Sequence, residues 1–249
     1  MEKATGRSGV HAMNANEPLP ETFPPGAKPG GAREMLAIAL PMVASNACDT
    51  VMHFTDRLFL SRVGPENMNA AMGGGLTVFT LMSFFIGLCG FSTALVAQHY
   101  GANQRNRCAA VLTQAAIVSV VAYPLILLAK PLAILAFERS GLAAPQLAAQ
   151  KVYFSILVYV SLAALLRASL SGFFSGIGRT RIVMGAAITT MTVNVAMNYI
   201  LIFGKMGFPA LGIRGAAYGT VIGSVAGLLV LLGAYLRPAN AKAYDVMRS

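Results

Sequence analysis

The chain has 249 residues, of which 56% are hydrophobic and only 11% charged, and its mean hydropathy is +0.63. Soluble domains carry about 25% charged residues, so this composition excludes an ordinary soluble domain and indicates an integral membrane protein. The net charge of +10 does not indicate a nucleic-acid binder: the Lys and Arg residues neither cluster nor alternate with exposed aromatics, and short basic loops set membrane topology instead.

Residues 1–32, with Pro18, Pro20, Pro24, Pro25 and Pro29 and no apolar periodicity, are expected to form a disordered cytoplasmic tail. They lack the continuous apolar core of a signal peptide. The remaining length accommodates about six spans at roughly 35 residues for each helix and loop. The first is expected at 34–60 with Pro41 near its start, and the second at 70–98. The second begins with Gly73, Gly74 and Gly75 and includes Gly87 and Gly90, glycines that permit close helix approach or bending.

The third span is expected at 108–137, kinked at Pro124. The fourth, at 152–175, buries Arg167 and ends in a Gly172-x-x-x-Gly176 pair. The fifth, at 182–203, carries Thr190, Asn194 and Asn198 as an uncharged polar stripe. The sixth, at 216–236, follows Gly215 with Gly219, Gly223 and Gly227, a four-residue ladder that admits a neighbouring helix backbone to backbone. A six-helix transmembrane lobe at 33–237 and a short cytoplasmic tail at 238–249 complete the expected order. The larger share of loop Lys and Arg, including Arg105, Arg107, Arg179 and Arg181, falls on the side of the termini, which places both termini in the cytoplasm. Cys48, Cys89 and Cys108 are scattered and fit no disulfide or zinc spacing.

The chemistry concentrates in the first span. At about 100° per residue, Ser45, Asn46, Asp49, His53 and Asp56 occupy roughly one third of the helix circumference, with Arg57 at its border. An uncompensated ionisable group in a bilayer costs on the order of 2.5–3.5 kcal/mol or more, so the stripe must face protein or water. A carboxylate held away from water can load and release a proton, or bind a sodium ion, as access alternates. The competing role for Asp56 is helix packing, with its charge neutralised by Arg57 or Arg167. Adjacent helical residues diverge by about 100°, which aims Arg57 poorly at Asp56.

Asp49 is either a second relay carboxylate or an interfacial group bonded to His53. His53 is either a proton relay or a structural hydrogen bonder. No metal centre, phosphate loop, H-E-x-x-H or nucleophile elbow occurs, so no enzyme is expected.

Four motifs then agree in order and spacing. They are Pro41 followed by F-T-D-R-L-F-L-S-R-V-G from Phe54, L-V-A-Q-H-Y-G-A from Leu95, G-I-G-R-T-R from Gly176, and N-V-A-M-N-Y-I-L-I-F-G-K-M-G-F-P-A-L-G-I-R-G-A-A from Asn194. Together they resemble the multidrug and toxic compound extrusion transporters. The resemblance implies an all-α integral membrane protein, a six-transmembrane-helix bundle corresponding to the N-terminal lobe of a two-lobe, twelve-span transporter. It implies that Asp56 binds the coupling H+ or Na+, with Asn194 and Asn198 nearby and Asp49 and His53 as further candidates. It also implies export of drugs or other amphipathic or cationic compounds.

No cofactor beyond the coupling ion is expected. The partners are a small-molecule substrate, the lipid bilayer, and either a second copy in a homodimer or a missing second lobe. The setting is a cell membrane, multi-pass and most simply the bacterial inner membrane. The alternatives are a transport-silent truncated lobe that only binds a partner, and a lipid-linked flippase relative, whose cavity would carry more basic charge.

Overall fold

The computed structural model describes residues 32–237; the expected tails, apart from residue 32, lie outside them. Six helices follow in order: α1 (Ala32–Val63), α2 (Pro65–Gly101), α3 (Arg105–Arg139), α4 (Ala144–Gly176), α5 (Thr180–Phe203) and α6 (Ile213–Leu236). No strand occurs among the described residues. All six are long and apolar enough to cross a membrane, since about 20 residues at a rise of 1.5 Å match a hydrocarbon core of about 30 Å.

The helices outrun the expected spans because hydropathy marks only the lipid-embedded part, while polar ends continue the same hydrogen-bond ladder. Pro65 opens α2 at a first-turn position, where its missing N–H costs nothing. The helix therefore starts before the glycine run. Gly74 then meets Tyr153 and the Gln150 carbonyl on α4, where a methyl group would lie 3.2–3.3 Å away. By contrast, the sites of Gly87 and Gly90 have nothing within 4 Å, so no neighbour approaches there. The close approach of α4 to the later part of α2 uses Gly172 and Gly176 instead, against Thr93 and Val96. Arg167 is half-buried rather than enclosed, although its Nε is buried without a hydrogen-bond partner.

Two apolar clusters hold the bundle at its two ends. One gathers Leu60, Met82, Ile126, Phe154, Leu165 and Ile202 with their neighbours, and the other gathers Val96, Leu112, Phe173, Phe174 and Leu231 with theirs. Between them lies a polar layer in which the Ser119 hydroxyl contacts both Cys89 and Ser169. The first helix joins these clusters only through Leu60 and the neighbouring Phe59. Its packing against α5 is reinforced by Phe59, whose ring lies 5.6 Å from Phe203 and 6.3 Å from Tyr199.

The α5–α6 hairpin is the most exactingly registered pair. Gly204 ends α5 in the left-handed region at φ 65°, and a side chain there would also strike Ala210. The loop returns tightly, with the Leu211 N–H donating to the Leu201 carbonyl at 2.9 Å. This fixes the antiparallel offset of the two helices. Gly215 then meets the Leu201 backbone, Gly219 meets Asn198, Gly223 meets Asn194 and Gly227 meets Thr190. From Gly219 onward each glycine step along α6 is thus matched by one polar step back along α5, and backbone approach of this kind is what small residues provide in lipid.

Candidate ion-binding site

The α1 stripe divides once the helix is packed. Ser45 and Asp56 are buried, Asp49 is half-buried, and Asn46 and His53 are exposed. The reason is geometric: the stripe covers a third of the helix, whereas α5 and α2 cover only part of that arc. Ser45 is satisfied locally, its hydroxyl donating to the Pro41 carbonyl at 2.8 Å. Asp56 is directed at the polar stripe of α5.

There the side-chain amide of Asn198 donates both to the Asp56 carboxylate and to Asn194 Oδ1, the latter at 3.1 Å. Asn194 donates in turn to Thr220 Oγ1 on α6 at 3.3 Å. Thr220 closes the chain by donating to the Ala216 carbonyl at 3.0 Å. Asn194 and Asn198 are fully buried, and Asp56 is 6% exposed. Asn198 Oδ1 is buried with no hydrogen-bond partner. A line of side-chain oxygens and amides therefore crosses from α1 through α5 to α6 in an apolar interior, where such bonds are electrostatically strengthened.

Neither Arg57 nor Arg167 neutralises the carboxylate by an ion pair. Among the described residues the one ion pair is Lys151–Glu138, at 2.6 Å, near the α3–α4 turn. Arg57 diverges from Asp56 around the helix, as its spacing requires. Asp49 and His53 do not join the hydrogen-bonded line.

The line opens onto a cavity of about 390 Å³ whose wall includes His53, Asp56, Arg57, Phe79, Tyr153 and Thr220. Asp56 therefore has one face held by Asn198 and stands at the edge of a space that admits water and small solutes. A carboxylate offers about four lone-pair sites, so an acceptor remains for a proton or a hard cation, which prefers oxygen ligands.

The sequence brought Asp56, Asn194 and Asn198 forward, and the structure joins them. Thr220 lacked a comparable signal, and so did Tyr153, an amphipathic ring between Val152 and Phe154. The two four-residue periodicities, glycines on α6 and polar residues on α5, carried a readable hint, because a ladder of that spacing needs a matching ridge.

The MatE family model matches residues 41–200. The probable multidrug resistance protein YoeA of Bacillus subtilis is 29% identical over 212 residues, covering 84% of this chain and 46% of the relative. The probable multidrug resistance protein NorM of a Synechocystis species is 30% identical over 194 residues, covering 76% of this chain and 41% of the relative. A solved MOP superfamily transporter from Pyrococcus furiosus superposes with a TM-score of 0.72 at 21% identity, covering 84% of this chain and 45% of its own. The chain spans about half the length of the curated relatives it matches.

Proposed function

The chain belongs to the MatE family, and from that premise we propose that it is one lobe of an ion-coupled exporter of amphipathic compounds, with Asp56 as the coupling carboxylate. The observation that carries the reading is a buried carboxylate inside a membrane-spanning helix, hydrogen-bonded by Asn198, open to a cavity and free of any ion pair. A charged group in that position is stabilised by taking up a proton or a cation. Asn198, Asn194 and Thr220 hold the carboxylate in place and supply further oxygens. H+ and Na+ are both compatible with this donor set, and drug export is supported by the multidrug resistance relatives.

A complete exporter encloses its substrate between two halves. Matched relatives about twice as long support a second lobe, either a second copy in a homodimer or the half of the relatives that this chain does not span. The proposed setting is a cell membrane, multi-pass with cytoplasmic termini, bacterial inner membrane included.

The test is Asp56→Asn in reconstituted vesicles, with pH and sodium gradients imposed separately. Export of a fluorescent amphipath is expected to respond to one gradient in the parent and to neither in the variant, with thermal unfolding unchanged in character. Unchanged coupling in the variant removes Asp56 from this role. The half-length match to relatives also favours a second reading, a transport-silent lobe. Mass measurement in lipid discs or detergent separates the two, since a strictly monomeric chain that moves no substrate supports only the silent lobe.

A further inference from the structure

The cavity beside Asp56 contains a second charge that ion coupling does not use. Arg57 lies on its wall and is exposed, whereas Asp56 is recessed and already holds the Asn198 amide. Among the described residues no carboxylate comes within 4.0 Å of the guanidinium. The α2 side of the same wall is apolar, with Met72, Leu76, Phe79 and Met82 recurring at helical spacing. The site therefore combines an apolar face with one planar, unpaired cation. An arginine six residues from the end of α1 can instead serve as an interfacial anchor, reaching out along about 9 Å of helix. Its place on the cavity wall, beside Asp56, distinguishes the two roles.

We propose that Arg57 is the specificity-determining residue of this cavity and that the compounds it takes are amphipathic carboxylates, zwitterions included. A guanidinium binds a carboxylate through two parallel hydrogen bonds, and the interaction is strengthened where water is scarce. The apolar body of the compound lies along the α2 face. A purely cationic compound of the same shape meets the guanidinium's charge at the same place, while Asp56, the carboxylate on that wall, is recessed and held by Asn198. A volume of about 390 Å³ falls within the ~300–1,000 Å³ of small-molecule sites. This inference rests on the exporter reading and narrows the amphipathic or cationic substrates expected from the sequence.

The experiment uses the full chain in lipid nanodiscs and three probes differing only in head group: 1-pyrenebutyrate, 1-pyrenebutyramide and 1-pyrenebutyl-trimethylammonium. Binding is read by fluorescence anisotropy against empty discs. The carboxylate is expected to bind at least about tenfold more tightly than the ammonium probe, with the amide between them. In Arg57→Gln that ratio is expected to fall to within about threefold, and Arg57→Lys, which keeps the charge without the planar fork, is expected to lie between. Equal or tighter binding of the ammonium probe by the parent overturns the proposal, as does an unchanged ratio in Arg57→Gln or binding of none of the three. The parent's preference is informative even where a variant does not fold. Gradient-driven export judges the coupling role of Asp56 separately: its loss with the head-group preference intact removes that role alone, and the converse result removes only Arg57.

Discussion

The side-chain amide of Asn198 on α5 reaches across 142 positions of chain to donate to the carboxylate of Asp56 on α1. This bond ties α1, which shares little with the two apolar clusters, to the most tightly registered pair in the bundle. It also joins the carboxylate to a line of buried groups that Asn194 and Thr220 extend.

Asn198→Ala is expected to weaken coupled export more than stability. The hydrogen bond to a charged group is worth about 1.5–3 kcal/mol, so the ion concentration giving half-maximal export should shift by roughly tenfold or more. A double-mutant cycle with Asp56→Asn should show non-additivity of at least about 0.5 kcal/mol in thermal or denaturant unfolding. Strict additivity means that the two side chains do not act together.

Gly223→Ala and Gly233→Ala are expected to move stability in opposite directions. A methyl at Gly223 would lie 2.9 Å from Asn194 Cβ and from the Thr190 carbonyl oxygen, whereas Gly233 has nothing within 4 Å. Overpacking costs about 1–3 kcal/mol, and alanine at an unobstructed helical glycine gains about 0.4–1 kcal/mol. Melting in matched detergent checks the sign of each, and equal shifts would show that the α5–α6 contact is looser than described.

Phe59→Ala should release α1 from α5. The edge-to-face pairing with Phe203 and the tilted contact with Tyr199 are worth about 0.5–1.5 kcal/mol each beyond buried area. Faster amide exchange is expected around residues 54–60, with α5 and α6 unchanged. Uniform acceleration across all six helices would place Phe59 in the global core instead.

Asp49→Asn and His53→Gln are expected to leave coupled export within about threefold of the parent, as suits groups contributing under about 1 kcal/mol. Neither side chain joins the hydrogen-bonded line from Asp56 to Thr220, and His53 is exposed. Loss of coupling in either variant, comparable with that expected for Asp56→Asn, would restore a relay along α1.

The six spans and their order were legible because each is a long apolar run between polar breaks. The stripe on α1 was legible as an arc, but periodicity does not say which part of an arc a neighbour covers. Asn46 is therefore exposed and His53 reaches only the open cavity wall, while Asp56 is buried against α5. Glycine is ambiguous for the same reason: Gly87 and Gly90 face open space, while Gly172 and Gly176 face α2, and nothing local separates the pairs. Tyr153 and the α2 wall of the cavity were illegible, since an apolar side chain in a membrane helix reads alike whether it meets lipid, a neighbour or a substrate.

The matched ladders on α5 and α6 also restrict how this chain can vary. A larger residue at Gly219 meets the side-chain amide of Asn198 and is accommodated only if that asparagine shrinks, an exchange that deletes the amide which steadies the carboxylate. At Gly223 the obstacle is Asn194 Cβ and the Thr190 carbonyl oxygen, which remain when the asparagine is shortened to alanine, so no single partner exchange restores the packing there. Among sequences that keep the amides, α6 should retain glycine at these two positions even where the rest of the helix has drifted beyond recognition.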